Sequence, residues 1–127
     1  MEQRLKNLWL ATLFFWALHI VEEMLTGFQN YDTGIVFLAT HLGTSTTIVY
    51  LVIQAFGVAI LILPFFLSFK ILLLRIIFSL IFLFEWTHIF SAISGRGYYP
   101  GFWTAIPLVI IGLFFWKNSL LRFKETR

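Results

Sequence analysis

Cysteine is absent from the 127 residues. That excludes disulfides, thiolate nucleophiles, iron–sulfur clusters and cysteine-bound zinc, so any metal here would be held by nitrogen and oxygen. Charge is also scarce. Charged residues make up 12% of the chain, about half the soluble norm of roughly 25%. A chain this short has a high surface-to-volume ratio and could not cover itself with so few charges. A water-soluble globular enzyme is thereby excluded, and the 60% hydrophobic content excludes disorder. Apolar residues come in continuous runs rather than in alternation, which excludes a β-barrel. There is no internal repeat, no low-complexity linker, and no basic stripe interleaved with aromatics. The net charge of +3 therefore does not point to nucleic acid.

What remains is an integral membrane protein of one domain. A crossing takes about 20 mostly apolar residues, and four segments qualify, at about residues 8–27, 46–69, 71–93 and 101–121. The expected fold is all-α, a four-helix transmembrane bundle. Ser68-Phe69-Lys70 is the short turn of a hairpin between the second and third spans. Pro64 and Pro107 fall inside spans, where membrane helices tolerate them. With four spans, eight of the nine Lys and Arg residues fall on one side and only Arg96 on the other. The positive-inside rule then puts both termini in the cytoplasm of a cell membrane. Tyr98, Tyr99 and Trp103 lie near the outer interface, and Trp9 and Trp116 near the inner one. Oligomeric state is open at this level.

Ionisable groups inside spans are expensive and are functional candidates by default. The first span carries His19, Glu22 and Glu23, the third carries Glu85 and His88, and His41 lies just before the second. All three histidines and half of the six acids are in this set. Spacings of three and four residues put such groups on one helix face. Their depths agree: at about 1.5 Å per residue, Glu22 lies roughly 21 Å above Leu8 and Glu85 roughly 21 Å above Ile71. Three segments thus bring imidazoles and carboxylates to one layer in the outer leaflet, capped by Tyr99, Thr104 and Gly95-Arg96-Gly97.

Neutral imidazole and ionised carboxylate are the ligands of divalent zinc or iron. Glu85-x-x-His88 has the spacing used on the helices of di-iron carboxylate bundles. The six residues His19, Glu22, Glu23, His41, Glu85 and His88 are the candidate metal ligands. Several carboxylates cannot sit together ionised without cations or protons. The leading expectation is a metal-dependent membrane enzyme acting on a lipid-soluble substrate, with Glu22 as general base and Tyr99 as proton donor. Alternatives are a metal-free isomerase in which Glu and His move a proton, an ion or proton transport subunit, and a hydrogen-bonded network that only holds helices together. His19-x-x-Glu22-Glu23 also has the form of an inverted zincin motif with Glu in place of the final His.

The segment His19-Ile-Val-Glu22-Glu23 resembles the signature of the HXXEE family of small multi-spanning membrane proteins. Tyr98-Tyr99-Pro100-Gly101-Phe102-Trp103-Thr104 resembles that family's second recurring motif, Tyr-x-Pro-Gly-x-x-Thr. The resemblance covers nearly the whole chain. It implies a multi-pass membrane protein of bacterial type and brings no established activity. At the level of fold the chain is also similar to sterol isomerase and emopamil-binding proteins, whose helices carry His and Glu for proton transfer. No residue is carried over from them, because the motifs do not match position by position.

Overall fold

The computed structural model describes residues 2–66, 72–95 and 97–125. The expected Ser68-Phe69-Lys70 turn and Arg96 lie outside these residues. Among the described residues there are helices and no strand: α1 (Glu2–Thr26), a 3-10 turn (Phe28–Asn30), α2 (Thr33–Leu42), α3 (Thr46–Phe66), α4 (Leu72–Phe84), α5 (Trp86–Ser94) and α6 (Phe102–Glu125). The chain is an all-α membrane protein. Three stretches are long and apolar enough to cross a bilayer, Lys6–Thr26, Thr46–Phe66 and Leu73–Ser94, and α6 adds a shorter apolar stretch over Phe102–Asn118.

Short polar and glycine positions punctuate the outer connection. Gly27 takes a left-handed φ of 77° and ends α1, a conformation that costs glycine least. Asp32 then caps α2 by accepting from the Ile35 amide at 2.9 Å. Gly43, at φ 62°, closes α2. This extra helix, four residues short of the second span, is one the span reading did not anticipate. The third span is not one uninterrupted helix. Glu85 stands in a turn between α4 and α5, with tight i→i+3 bonds on either side: its amide donates to Phe82 and its carbonyl accepts from His88.

The helix α6 is the centre of the packing and contacts α1, α4 and α5. Gly112 makes the α4–α6 approach possible, since a Cβ there would stand 2.6 Å from Cβ of Phe82. Inside, Trp9, Trp16, Leu61, Phe78, Phe82 and Phe115 form the main apolar core. Trp9 packs edge-on against Phe78, Phe82 and Phe115 and donates its indole N–H to the Leu61 carbonyl at 2.6 Å. That hydrogen bond ties the start of α1 to the last turns of α3. At the opposite end a second, smaller core of Ile35, Ala39, Val49 and Tyr50 joins α2 to α3.

Candidate functional site

Above the aromatic core, α1 delivers His19 and Glu23 one helical turn apart, and the α4–α5 break delivers Glu85 and His88. The four side chains meet. Nε2 of His19 lies 3.4 Å from Oε1 of Glu23 and 3.0 Å from Oε2 of Glu85. Nε2 of His88 lies 3.6 Å from the same Glu23 oxygen and 3.7 Å from the same Glu85 oxygen. One atom from each of His19, Glu23 and His88 falls within a 4.8 Å span, the spacing of a metal-binding group. His19 and Glu23 are 2% exposed, so the cluster is closed off from both solvent and lipid.

The outer faces of both imidazoles are fixed. His88 donates Nδ1–H to the Pro100 carbonyl at 2.8 Å. A carbonyl can only accept, so the proton is on Nδ1. Nδ1 of His19 stands 2.8 Å from Oγ1 of Thr104. That hydroxyl spends its one hydrogen on Oε2 of Glu22 at 2.6 Å, because an ionised carboxylate can only accept. The His19 Nδ1 is therefore the donor as well. With Nδ1–H committed outward, each imidazole turns its Nε2 toward the carboxylate oxygens of Glu23 and Glu85. Oε2 of Glu85 is buried and faces both imidazoles, 3.0 Å from His19 and 3.7 Å from His88. Glu23 is steadied from behind: its other oxygen accepts from the Tyr50 hydroxyl at 2.7 Å and from Gln54 at 3.4 Å.

Of the six residues read from the sequence, the structure brings together His19, Glu23, Glu85 and His88. Glu22 and His41 are placed elsewhere, which corrects the expectation of one six-residue layer. Glu22 turns to the start of α6. Its two oxygens accept from the Tyr98 hydroxyl, the Trp103 and Thr104 amides and the Thr104 hydroxyl. It thus caps a helix other than its own, where free amides and the helix dipole favour an anion. Four donors on two oxygens leave no lone pair directed at the cluster, so the geometry does not fit a general base. His41 sits exposed at the end of α2, stacked on Phe37 and bonded to that residue's carbonyl. Tyr99 packs its ring 5.5 Å from that of His88, and Phe28 lies on the same imidazole at 5.3 Å. Burial, helped by Asp32 and Glu23, holds the Tyr99 phenol above its ordinary pKa.

Three contributors were not read from the sequence. Tyr50 stands one turn before Gln54, and a lone phenol and amide on one face of an apolar span was the available signal. The Pro100 carbonyl is a backbone group and leaves no side-chain signal. Gly101, at φ 81°, sits against the cluster, where a Cβ would stand 2.6 Å from Cε1 of His19, 3.0 Å from Nδ1 of His88 and 3.2 Å from Cγ of Glu23.

The two sequence motifs therefore interlock. Within His19-x-x-Glu22-Glu23, the first and last residues point into the cluster and the middle acid braces it. Within Tyr98-x-Pro100-Gly101-x-x-Thr104, the tyrosine holds Glu22, the proline carbonyl holds His88, the glycine makes room and the threonine links His19 to Glu22. No curated protein and no solved structure matches this chain. The model of a family described as proteins of unknown function with an HXXEE motif matches residues 9–116, and the chain belongs to that family.

Proposed function

We propose that His19, Glu23, Glu85 and His88 hold one divalent ion, zinc or iron, in a membrane-embedded enzyme acting on a lipid-soluble substrate. The carrying observation is the convergence of two imidazole Nε2 atoms and two carboxylate oxygens, with an Nδ1 hydrogen of each ring committed outward. Such a set needs positive charge at its centre. The His19–Glu85 contact, at 3.0 Å, is near the value of about 2.7–2.9 Å for a charge-assisted hydrogen bond, and the other three separations, 3.4, 3.6 and 3.7 Å, are longer and leave room for an ion. Four ligands at about 2.0–2.2 Å from a tetrahedral centre stand about 3.3–3.6 Å apart, and the four imidazole–carboxylate separations run from 3.0 to 3.7 Å. Nitrogen and oxygen ligands suit zinc and iron alike.

The bound ion would supply Lewis acidity at a substrate oxygen. The chain supplies the rest. Tyr50 and Gln54 orient Glu23, Thr104 and Pro100 orient the imidazoles, and Phe28 and the core tryptophans keep water out. Tyr99, beside His88 and kept protonated, is the proton donor in this reading. The Lys and Arg distribution puts both termini on the cytoplasmic side of the cell membrane and the cluster toward the outer leaflet. A transport role is less favoured by the inner halves of the helices. There Thr12, Ser79 and Asn118 each donate to the carbonyl four residues back in their own helix, so these hydrogens are spent within the helices.

The test is metal analysis of protein purified in detergent without chelator. About one equivalent of metal is expected for four-ligand binding, lost in His19→Ala and Glu85→Ala and retained in His41→Ala. Trace metal unchanged by these variants would instead favour the proton-bridged cluster of a metal-free isomerase. A lipid comparison of membranes with and without the protein then addresses activity. A precursor that accumulates and is cleared by wild type but not by Glu85→Ala supports an enzyme. Unchanged lipids, with ion or proton flux into vesicles that needs Glu85, would replace the enzyme by a transport subunit.

A further inference from the structure

A cavity of about 490 Å3 opens at the outer end of the molecule, lined by Thr26, Tyr31, Tyr98, Tyr99 and Pro100. It shares its walls with the candidate metal centre. The Pro100 carbonyl on one side holds His88, the Tyr99 ring packs on that imidazole, and Tyr98 holds Glu22. The volume is in the range of about 300–1,000 Å3 typical of small-molecule sites. Apolar surface dominates the lining, and none of these five residues carries a charge at neutral pH. Burial and the adjacent Glu22 carboxylate push the Tyr98 phenol up to about 12, and Tyr99 is raised as well, so both stay neutral. The Thr26 hydroxyl is spent on the Glu22 and Glu23 carbonyls, and the Tyr98 hydrogen on Glu22. Among the described residues the Tyr31 and Tyr99 hydroxyls donate to nothing.

Among the described residues no charged side chain lines the cavity, so an ionised headgroup would lose water there without a direct ion pair in the lining, a cost of several kcal/mol in apolar surroundings. A neutral oxygen would meet a free phenolic donor. We infer that the cavity binds the oxygen-bearing end of an uncharged lipid-soluble molecule, a long-chain alcohol or carbonyl compound, entering from the outer leaflet with its oxygen on Tyr99. This names the substrate class for the enzyme reading above and rests on it.

The full chain in phosphatidylcholine nanodiscs is exposed to three photoactivatable hexadecyl probes, ending in a hydroxyl, a phosphate monoester or an ammonium. The alcohol is expected to label residues 98–100 or Tyr31, about tenfold or more above the charged probes, with unlabelled hexadecanol competing. Tyr99→Phe should weaken alcohol labelling about three- to tenfold, the worth of one neutral hydrogen bond, with the metal content unchanged. Tyr31→Ala, altered at the exposed rim, should weaken it while leaving the fold intact. Equal labelling by all three probes, labelling elsewhere, or no response to either variant overturns the inference. Metal is assayed on the same discs. Selective labelling of metal-free discs would remove the metal reading and keep the cavity, and unselective labelling of metal-loaded discs would do the reverse.

Discussion

Glu22 and Glu23 are neighbours in the chain, yet their carboxylates serve different helices. Glu23 faces the imidazoles of His19 and His88, and Glu22 caps the start of α6. Successive residues on a helix are turned by about 100°, so two adjacent acids cannot both point at one centre. The division of labour sets the first expectation. Glu23→Gln should abolish metal retention, whereas Glu22→Gln should weaken affinity by about 10- to 100-fold, the usual effect of losing a ligand's support. Zinc competition against a chromophoric chelator measures both. Equal losses would mean that Glu22 reaches the ion itself.

Thr104 joins Glu22 to His19. Thr104→Val keeps the shape and removes the hydroxyl, and should release His19 into a mixture of tautomers. Nitrogen-15 shifts of the imidazole would read this directly, with Thr104→Ser restoring the single Nδ1–H form. Metal affinity should follow, falling about 10- to 100-fold in the valine variant. A single unchanged tautomer in Thr104→Val would remove the link.

Gly101→Ala is expected to be the most disruptive single methyl in the protein. The left-handed backbone costs alanine about 1–2 kcal/mol. The added Cβ would fall 2.6 Å from the His19 ring, and overpacking adds about 1–3 kcal/mol. Thermal unfolding in detergent should shift to lower temperature, and metal should be lost even from folded protein. Gly97→Ala, where a Cβ meets nothing within 4 Å, serves as the control.

Tyr98 predicts an alkaline limit. Its phenol is pushed up to about 12, by burial first and then by the hydrogen bond to Glu22. A group whose folded pKa is raised stabilises the fold fully below its unfolded value of about 10 and loses that contribution as pH rises toward the folded value. Stability should therefore drop between about pH 10 and 12, and Tyr98→Phe should be less stable at neutral pH and flatter across that window. Parallel curves for the two proteins would count against the contact.

Much of this site was legible before any coordinates. Rise per residue alone put Glu22 and Glu85 at one depth, and the i, i+4 spacing put His19 and Glu23 on one face, because helical geometry is nearly invariant. What periodicity could not resolve was rotation finer than a face. Glu22 and Glu23 were grouped, and only the Thr104 and Trp103 amides separate them. His41 was drawn in by its place before the second span. The Gly27 and Gly43 turns instead fold residues 33–42 into a helix of its own, with His41 at its exposed end. The break at Glu85 has no proline or glycine to announce it. At that break Glu85 meets His19, far back in the chain.

The hydrogen-bonded partner of His19 on α6 lies 85 positions downstream. During synthesis α1 therefore enters the membrane before the partners of His19, Glu22 and Glu23 exist, and an ionised side chain costs up to about 2.5–3.5 kcal/mol at the centre of a lone helix and less toward its end, where these three lie. Its mean hydropathy of 1.4, against 2.5 for α3, leaves little to offset this. Tyr50 and Gln54 arrive with α3, Glu85 and His88 with α4 and α5, and Thr104 and the α6 amides only with the final helix. α1 is thus made before every partner its polar face needs, and is the last of these helices to settle. Truncation before residue 101 should strand it at the insertion machinery or in the interface, exposed to quality-control proteolysis.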